Sequence, residues 1–471
     1  MTAPILVWIR RDLRLHDHAA LSAAAQSGRP VLPVFLCDEA LEGLGTAAKW
    51  RFGAGVGAFA QSLEAIGSRL ILRRRPCLEG LSDLIQETGA DTVYWQRSYD
   101  PEQQARDAKV KAALRQRGVQ VKSFAGHLLF EPWTVETKTG GPYKVYSPFW
   151  RAVKDRGVAT PPPAIKELRA PGTWPASDDL ERWNLGAAMR RGAPILAKHA
   201  RVGESAALDR LNWFTQTAVE SYKEQRDFPG VDASSALSEP LTYGEISPRT
   251  IWHAGQRALA EGAAGAEHFL KELVWREFAY HLLHHWPDLP RQTWRREWAG
   301  FNWNRAETPQ VTAWKQGRTG IEFVDAAMRE MYVTGRMHNR ARMIVGSYLT
   351  KHLLADWRIG LDWFADCLTD WDPASNAMGW QWVAGCGPDA APYFRVFNPV
   401  TQSDKFDADR SYRNRWIAEE QGAPPETALD YFKAVPKAWA LDPGAPYPHP
   451  IVTAADGRDR ALQAYGMFKD R

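Results

Sequence analysis

The sequence predicts two domains of different class: an N-terminal α/β domain with a doubly wound, mainly parallel sheet, and a C-terminal all-α domain. A chain of 471 residues exceeds the length at which one hydrophobic core stops growing, so we expect two domains. Up to about residue 130, short apolar runs alternate with helical stretches, which is typical of a parallel sheet covered by helices. After about residue 200 a helical periodicity replaces the strand signal. We place the domains at 1–130 and 201–471, with an interdomain linker at 131–200.

Five runs of apolar or β-branched residues define the strands expected in the first domain. The segments between them are rich in Ala and Leu, and the last one ends at Gly118, as helices often do. The glycine cluster FGAGVGAF at 52–59 is not a dinucleotide-binding fingerprint, because the preceding TAAKWR has no strand character. The expected strands lie at residues 5–10, 30–38, 69–74, 91–98 and 119–124.

Two local signals precede the helical part of the chain: a stretch interrupted by proline and glycine, and a helix N-cap. Proline and glycine interrupt residues 157–175, so this stretch is typical of a linker. Ser247 followed by Pro248 predicts a helix N-cap with proline at the first helical position. We therefore expect a helix to begin at Pro248.

The segment HFLKELVWREF at 268–278 predicts an amphipathic helix with two distinct faces. Glu272, Trp275 and Arg276 fall together at spacings of three and four. A Trp between a carboxylate and a guanidinium can stack on a flat ligand while its neighbours form hydrogen bonds. The same spacing fits a Trp packed under a loop beside an ordinary surface ion pair. The apolar face consists of Leu270, Leu273, Val274 and Phe278.

Composition excludes several classes of protein. The four cysteines are scattered, which argues against a zinc site or a disulfide framework. No run approaches the roughly 18 apolar residues of a membrane span, and the first residues do not resemble a signal peptide. We therefore expect a soluble, cytoplasmic protein without a metal. Tryptophan is enriched, with 22 Trp against 18 Phe and 14 Tyr, mostly at or after Trp213.

Charge is unevenly distributed along the chain. Residues 1–200 hold 28 Lys and Arg against 20 Asp and Glu, whereas the remainder holds 31 against 35. Within that acidic remainder, residues 331–355 contain four basic residues and no acidic one. Such a segment is either a solvated helix face or a surface that contacts nucleic acid. Its basic residues are Arg336, Arg340, Arg342 and Lys351.

Two polar stretches stand on either side of this basic segment. VDASSALS at 231–238 is a Ser-rich loop of the kind that binds phosphate through hydroxyl and N–H groups, although such loops are often only loops. DWDPASNAMGWQW at 370–382 places two aspartates, an asparagine and three tryptophans in thirteen positions. The residues alone fit an aromatic core, a base-stacking surface or a cofactor pocket.

The order of these motifs resembles the DNA photolyase/cryptochrome family. A Ser loop, a Glu-x-x-Trp-Arg helix, RMHNRARM at 336–343 and the 370–382 stretch follow one another at the family's spacing. The resemblance runs from ILVWIRRDLRLHDHAAL through TKTGGPYKVYSPFWRAV to DAAPYFRVFNPVTQSDKFD, and so covers nearly the whole chain. It implies that the helical domain binds FAD in a folded conformation and holds a pyrimidine dimer flipped out of damaged DNA.

The resemblance also implies a role for each residue that matches a family motif. Asn376 would lie at flavin N5, and Asp370 and Asp372 would face the polar edges of the flavin and ribityl chain, with Arg342 near Asp370. Residues that would hold the FAD phosphates are Tyr222, Ser234, Ser235, Ala236, Leu237 and Ser238. Residues that would meet the dimer are Glu272, Asn339 and Met343, between Trp275 and Trp382. Residues that would contact DNA are Arg226, Arg276, Arg340 and Gln402. The electron route from the surface to the flavin would be Trp303, Trp357 and Trp380.

Family features favour a light-driven lyase for cyclobutane pyrimidine dimers. Asn376, rather than Asp or Cys, favours repair enzymes over plant or animal cryptochromes. The sequence His338-Asn339-Arg340 favours cyclobutane-dimer enzymes over (6-4) photolyases. The alternatives are a blue-light cryptochrome photoreceptor without repair activity, a (6-4) photolyase, or a Trp-rich domain that binds single-stranded nucleic acid by stacking. We expect a monomer.

The chain departs from the family pattern at three places. The family often has a longer or basic residue at the position of Ala236, and proline at that of Glu239. The spacing from Trp303 to Trp314 is one residue longer than in typical members. The N-terminal domain in this family holds an antenna chromophore, commonly a methenyl folate or a deazaflavin. We expect methenyltetrahydrofolate, with a deazaflavin as the alternative, although Gln103 replaces a carboxylate that binds folate in some relatives. No family role is assigned to Trp371.

Overall fold

The computed structural model describes residues 2–189 and 192–470 and contains the two expected domains. All five expected strands are confirmed, and they form one sheet in the order β3-β2-β1-β4-β5 in which every pairing is parallel. The central strands are buried along their whole length, which explains their continuous apolar sequences. The strands are β1 Ile5–Ile9, β2 Val31–Leu36, β3 Ile71–Arg73, β4 Thr92–Gln96 and β5 Gln120–Phe124.

Helices connect these strands and cover the sheet. The strand order reverses at β1, whose Ile5 pairs with Val31 of β2 on one side and with Thr92 of β4 on the other. The carboxyl ends of β1 and β4 therefore lie side by side at one edge of the sheet. The FGAGVGAF cluster lies inside a helix, so the rejection of a dinucleotide fingerprint is confirmed. The helices are α1 Ala19–Gln26, α2 Glu39–Glu42, α3 Thr46–Ala65, α4 Cys77–Thr88 and α5 Pro101–Gln116.

The described part of the expected linker contains two short α-helices, α6 Tyr146–Val153 and α7 Ala193–Ala197, and three 3-10 turns. Tyr146, Phe149 and Trp150 of α6 are buried in a hydrophobic cluster formed mainly by the second domain. This part of the linker is thus integrated into the helical domain. The residues that bound the domains stay a prediction. Arg190 and Arg191 lie outside the described residues.

The second domain is helical, as expected. Its described residues contain no strand beyond a single bridged pair, Asn304 and Ala355. Ser247 caps the helix that begins at Pro248, because its hydroxyl accepts a hydrogen bond from Thr250 N at 3.0 Å. None of the described helices combines the length and apolar character that crossing a membrane requires. The helices are α8 Glu204–Trp213, α9 Tyr222–Gln225, α10 Ser238–Tyr243, α11 Pro248–Ala260, α12 Ala266–His285, α13 Pro309–Lys315, α14 Glu322–Thr334, α15 Asn339–Ser347, α16 Trp357–Cys367, α17 Pro373–Ala384, α18 Pro399–Phe406, α19 Ser411–Trp416, α20 Glu426–Ala434 and α21 Ala454–Lys469.

Candidate cofactor and DNA site

Helix α12 has the two faces that its sequence predicts. Its apolar face is buried, whereas Glu272, Trp275 and Arg276 are only partly covered. The sequence did not indicate Tyr146 of α6, whose ring stacks on Trp275 with centroids 3.7 Å apart and planes 8° apart. One face of Trp275 is therefore covered by protein, and a flat ligand can meet only its other face or its edge.

Helix α17 carries an uncovered stripe. Ser375, Asn376, Gly379 and Trp382 are partly or fully exposed on one side of this helix, and we call them the α17 stripe. A Cβ atom built on Gly379 would meet no atom within 4 Å, so the stripe borders open space. The Asn376 side chain is held by the neighbouring helix α16, because its Nδ2 donates to the carbonyl of Leu361 at 3.0 Å. The stripe is a surface of the kind that a bound group would cover.

Helix α17 packs against both α12 and α15. In α15 the side chains of Asn339, Arg342 and Met343 are uncovered at helical spacing, Arg340 is also partly exposed, and Ala341 and Ile344 are buried. The expected dimer contacts, together with Arg342 and Asn376, therefore lie on α17 and on the two helices packed against it. The fold brings these residues together although they are far apart in the sequence.

The aspartates before α17 are held by protein groups. Arg342 Nη2 donates to both carboxylate oxygens of Asp370, at 2.8 and 2.9 Å, as the expected proximity of the pair requires. The Ser238 hydroxyl also donates to Asp370, at 2.7 Å, which ties the Ser loop to this segment. Asp372 caps α17 by accepting from Ser375 N at 2.8 Å. Its other oxygen accepts from the Tyr280 hydroxyl.

A buried network behind Asp372 was not indicated by the sequence. His127 Nε2 lies 3.1 Å from the Tyr280 hydroxyl and accepts from Arg276 Nη2 at 2.8 Å. Burial and the Arg276 charge hold the pKa of His127 well below its ordinary value, so the ring is neutral. Burial and Asp372 raise the pKa of Tyr280 well above its ordinary value, so the phenol remains a donor.

Arg276 is placed differently from the expectation of a DNA contact. It also donates to the His127 carbonyl at 2.8 Å, and only 11% of its side chain is exposed. The guanidinium is committed to the interface between the domains, which leaves little of it for a phosphate.

The Ser loop at 231–238 lies between α9 and α10. Ser234, Ser235 and Ala236 are partly exposed, whereas Leu237 is buried. Ala236 has φ +52°, a left-handed conformation that is uncommon for a residue with a Cβ. Tyr222, at the start of α9, is buried, so its ring supports the site from within the core. The loop conformation suits anion binding by backbone N–H groups.

Glu239 does not face the Ser loop. Its carboxylate accepts from Arg51 of α3, from Arg336 at 3.0 Å and from the Thr369 hydroxyl at 2.8 Å. Burial raises the pKa of Glu239, but Arg336 and Arg51 more than offset this effect, so its pKa is below the ordinary value. Arg51 also binds Glu245, and the cluster joins α3 of the sheet domain to the helical domain. The acid is therefore a structural link and no obstacle to a phosphate.

The inner tryptophans of the expected electron route are fully enclosed. Trp380 and Trp357 are buried, and neither indole N–H has a hydrogen-bond partner among the described residues. Trp380 packs edge-on against Phe364, with ring centroids 4.9 Å apart. A Cβ on Gly360 would approach Trp380 to 2.0 Å, so only glycine fits there.

Trp303 is not at the surface, contrary to the expectation for the outer end of the route. Only 8% of the residue is exposed, and its indole N–H donates to the Thr350 carbonyl at 3.1 Å. Its ring stacks on Trp298 at 5.8 Å, and Trp298 stacks on the half-buried Tyr465 at 6.1 Å. Aromatic contact thus continues from Trp303 to a partly exposed ring of α21.

The other residues expected to contact DNA occupy the neighbouring surface. Arg226 forms an ion pair with Glu272, and Arg340 forms one with Asp227. The Gln402 carboxamide oxygen has no hydrogen-bond partner among the described residues. In the protein alone, each of these arginines is thus paired with a carboxylate.

His338 has a structural role. Its Nδ1 accepts from Arg340 N at 3.2 Å and so caps α15. Burial lowers the pKa of His338 to about 4, which keeps the ring neutral. The residue therefore fixes the helix that presents Asn339 and Arg342.

The molecule joins a doubly wound sheet domain to a helical domain. The helical domain combines a loop suited to a phosphate with an open helix surface beside buried tryptophans, as in proteins whose cofactor carries both a phosphate and a flat ring. The chain belongs to the DNA photolyase family. Residues 5–167 match the family model described as DNA photolyase, and residues 269–467 match the FAD binding domain of DNA photolyase.

Similar proteins span the whole chain. A deoxyribodipyrimidine photo-lyase of Agrobacterium fabrum is 45% identical, over 99% of this chain and 98% of its own length. The crystal structure of a bacterial class III photolyase from Agrobacterium tumefaciens, 44% identical, superimposes with a TM-score of 0.92 over 100% of this chain and 98% of that one. A Synechocystis cryptochrome, 27% identical, superimposes with a TM-score of 0.83 over 98% of this chain and 99% of that one.

The residues present fit FAD. The loop around Ala236 offers N–H groups to phosphates, and Arg342, Asp370 and Asn376 offer donors and acceptors to polar edges. Gly379 leaves space that a side chain would otherwise fill. These observations agree with the family assignment of the helical domain.

Proposed function

We propose that this protein repairs cyclobutane pyrimidine dimers in DNA by light-driven electron transfer. The observation that carries the proposal is the open α17 stripe, flanked by α12 and α15, in a chain 45% identical to a deoxyribodipyrimidine photo-lyase. FAD, held by the residues before and along α17 and by the Ser loop, would supply the light-driven, redox-neutral one-electron chemistry that opens the cyclobutane ring. The protein supplies binding, orientation and electrostatics.

Cofactor binding falls to residues before and along α17. Asp370 is fixed by Arg342 and Ser238, so its carboxylate is pre-oriented for the cofactor and needs no rearrangement. Asp372 acts as the cap that starts α17 at the correct residue and so sets the position of Asn376. Tyr222 and the loop Ser234, Ser235, Ala236, Leu237 and Ser238 receive the phosphates.

The dimer pocket is formed by side chains of α12, α15 and α17. Trp275 and Trp382 are its walls, with Trp275 held in place by the stacked ring of Tyr146. Glu272, Asn339 and Met343 meet the dimer bases. Extrusion of a dimer costs less than extrusion of a normal base, because the lesion already weakens pairing and stacking.

DNA binding is coupled to the pocket through Glu272. In the protein alone its carboxylate is paired with Arg226. When Arg226 engages a phosphate, Glu272 loses its partner and is free to turn to the dimer. Arg340 behaves in the same way with Asp227, and Gln402 adds a hydrogen bond. We propose that the protein acts as a monomer in the cytoplasm.

Electrons for reduction of the cofactor pass through Trp380, Trp357 and Trp303. The enclosure of these rings excludes water from the route. Since Trp303 is itself buried, the last transfer to the surface passes through neighbouring rings rather than from Trp303 directly.

We also propose that the antenna chromophore is methenyltetrahydrofolate, bound in a cavity of about 270 Å³ between the domains. Its lining includes Thr46 and Ala47 of α3 and three aromatic residues of the helical domain, Tyr332, Trp363 and Trp439. The rings of Trp363 and Trp439 lie 6.4 Å apart at 29°, and the indole N–H of Trp363 has no hydrogen-bond partner among the described residues. An aromatic cavity of this size suits a flat heteroaromatic ring.

The edge of the sheet suits the chromophore less well. The crevice at the carboxyl ends of β1 and β4, which Gln103 lines, holds only about 30 Å³. Trp363→Leu should therefore release the chromophore, whereas Gln103→Ala should retain it. Absorption spectra of the purified protein and of the chromophore released by denaturation test this, and a deazaflavin spectrum would contradict the folate assignment.

The proposed function is tested by repair itself. The purified protein, with its flavin reduced chemically, is incubated with an oligonucleotide that contains one thymine dimer, in blue light and in darkness. We expect intact thymines to be restored in light only. If the protein binds flavin but leaves the dimer intact, a cryptochrome without repair activity is favoured. If it repairs a (6-4) photoproduct and not the cyclobutane dimer, a (6-4) photolyase is favoured.

A further inference from the structure

Arg210 of α8, which no motif indicated, controls the direction of two peptide groups in the Ser loop. Its Nε donates to the Ser235 carbonyl at 3.0 Å, and its Nη2 donates to the Ser234 carbonyl at 2.6 Å. In a planar trans peptide, the C=O of one residue and the N–H of the next point in opposite directions. The N–H groups of Ser235 and Ala236 therefore both point away from Arg210.

The guanidinium itself is rigidly held. Asp232 accepts from Nη1 at 3.0 Å and from Nη2 at 2.5 Å, which is a bidentate arrangement. The Trp213 ring lies beneath it, with 3.8 Å between the guanidinium carbon and the ring centroid. Only 6% of the Arg210 side chain is exposed. Arg210 is thus a fixed template for the loop and is not itself available to a ligand.

The two N–H groups that Arg210 turns outward have no acceptor within the described part of the chain. Ala236 is in the left-handed region, with φ +52°, and successive N–H groups around such a residue form a concave anion-binding surface. The side chain of Ala236 offers no donor, so at this position an anion can be attracted only by the backbone N–H group, beside the hydroxyls of the neighbouring serines.

We propose that Arg210 is a positioning residue for the diphosphate of the cofactor, because it aims the N–H groups of Ser235 and Ala236 at phosphate oxygens. The proposal rests on the proposed binding of FAD and adds the group that prepares its phosphate site. It explains why a buried arginine and a strained alanine occur together in this loop.

The test compares two flavins that differ in the diphosphate. Arg210→Met removes both carbonyl contacts but keeps an apolar stem over Trp213. We expect the Kd of the apoprotein for FAD to rise about 10- to 100-fold, while the Kd for riboflavin, which has no phosphate, stays the same. Arg257→Met, on the exposed side of α11, is the matched control and should change neither value.

A second variant guards against a folding defect. Asp232 is largely exposed, so Asp232→Asn weakens its bidentate pairing with Arg210, while the Ser234 and Ser235 carbonyls still accept from the guanidinium. It should weaken FAD binding about 2- to 5-fold and leave the apoprotein folded, with a cooperative melting curve. Equal loss of FAD and riboflavin binding, or unchanged FAD binding in both variants, would overturn the proposal. Failure of the wild-type protein to bind FAD would instead overturn the proposed function.

Discussion

The carboxyl edge of the sheet and the α17 stripe are two places where a ligand is expected, yet they are built in opposite ways. Open parallel sheets usually bind ligands where the strand order reverses, here between β1 and β4. In this protein Arg10 fills that crevice: it pairs with Asp107 at 2.6 Å and lies 4.5 Å above the Trp8 ring. The α17 stripe, by contrast, has a glycine with nothing within 4 Å of its missing side chain. The fold indicates which edge of the sheet could bind a ligand, but the side chains at that edge determine whether there is room for one.

The largest expected effect concerns electron supply on the α17 side. Trp380→Phe should abolish photoreduction of oxidised flavin but spare repair by chemically reduced enzyme, because only the supply route contains Trp380. Trp371→Phe is the control. Trp371 lies under Arg11 of the sheet domain, 5.8 Å from its guanidinium, and has no place in the route. Flavin absorbance under blue light measures the first activity and dimer repair the second. Parallel loss of both in Trp380→Phe would make Trp380 a packing residue.

The next effect concerns the link between the two regions. Glu239→Gln removes the carboxylate that the buried Arg51 shares with the partly exposed Arg336 and leaves Arg51 with Glu245. Because a buried pair loses one partner, we expect the free energy of unfolding to fall by about 3–5 kcal/mol at pH 7. Because the folded-state pKa of Glu239 is lowered, its contribution is complete above the ordinary value of 4.5 and is lost as the pH falls through the folded value. The free energy of unfolding of the variant should therefore fall less steeply than that of the wild type as the pH is lowered below 4.5. Denaturant titrations at pH 7 and pH 4 measure this.

Glu102→Gln serves as the control for that experiment. Glu102 pairs with Arg291 on the surface, and both side chains are mostly exposed. Its substitution should cost less than about 1 kcal/mol. If the two variants were equally stable, the Glu239 cluster would not be the link between the domains.

A smaller effect separates the two ligand regions directly. Asp370→Asn weakens the contacts with Arg342 and Ser238, so FAD affinity should fall about 10- to 100-fold, as for hydrogen bonds to a charged group. Asp107→Asn alters the crevice instead and should leave FAD affinity unchanged. Titration of both apoproteins with FAD decides the matter. Loss of FAD from Asp107→Asn would mean that the crevice takes part in the cofactor site.

The smallest effect concerns DNA. Arg340→Ala should reduce the slope of log K against log salt concentration by about one unit, because one phosphate contact is lost. Arg276→Ala should change the slope less, since Arg276 is committed to His127. Filter binding of a dimer-containing duplex between low and moderate salt gives both slopes. Equal slopes for the two variants would show that Arg276 leaves His127 when DNA binds.

Local patterns were sufficient to predict most of the fold. The five strands follow from buried apolar runs, and the start of α11 follows from Ser247 and Pro248, because these signals act within a few residues. The two faces of α12 follow from helical spacing alone. The linker was harder to interpret, since Pro and Gly mark irregular backbone but do not tell which core α6 joins.

The site was predictable only in part, because its supporting contacts come from distant segments. Nothing near Trp275 in the sequence indicates that Tyr146 stacks on it, and nothing near Asp372 indicates Tyr280 and His127. The orientation of Glu239 likewise depends on Arg51, which belongs to the other domain. A sequence motif can identify a residue that contacts a ligand. The residues that hold this side chain in position come from distant segments and can be identified only in the folded structure.

The central claim, that the α17 stripe is the surface covered by the cofactor and the dimer, is tested most directly by Gly379→Leu. The protein has open space at this position and a helix tolerates leucine better than glycine, so the variant should fold with unchanged or higher stability. The added side chain should occupy the space that the bound groups need. The account predicts a normal melting curve together with loss of flavin content or of light-dependent dimer repair. Wild-type flavin content and wild-type repair in the folded variant would contradict it.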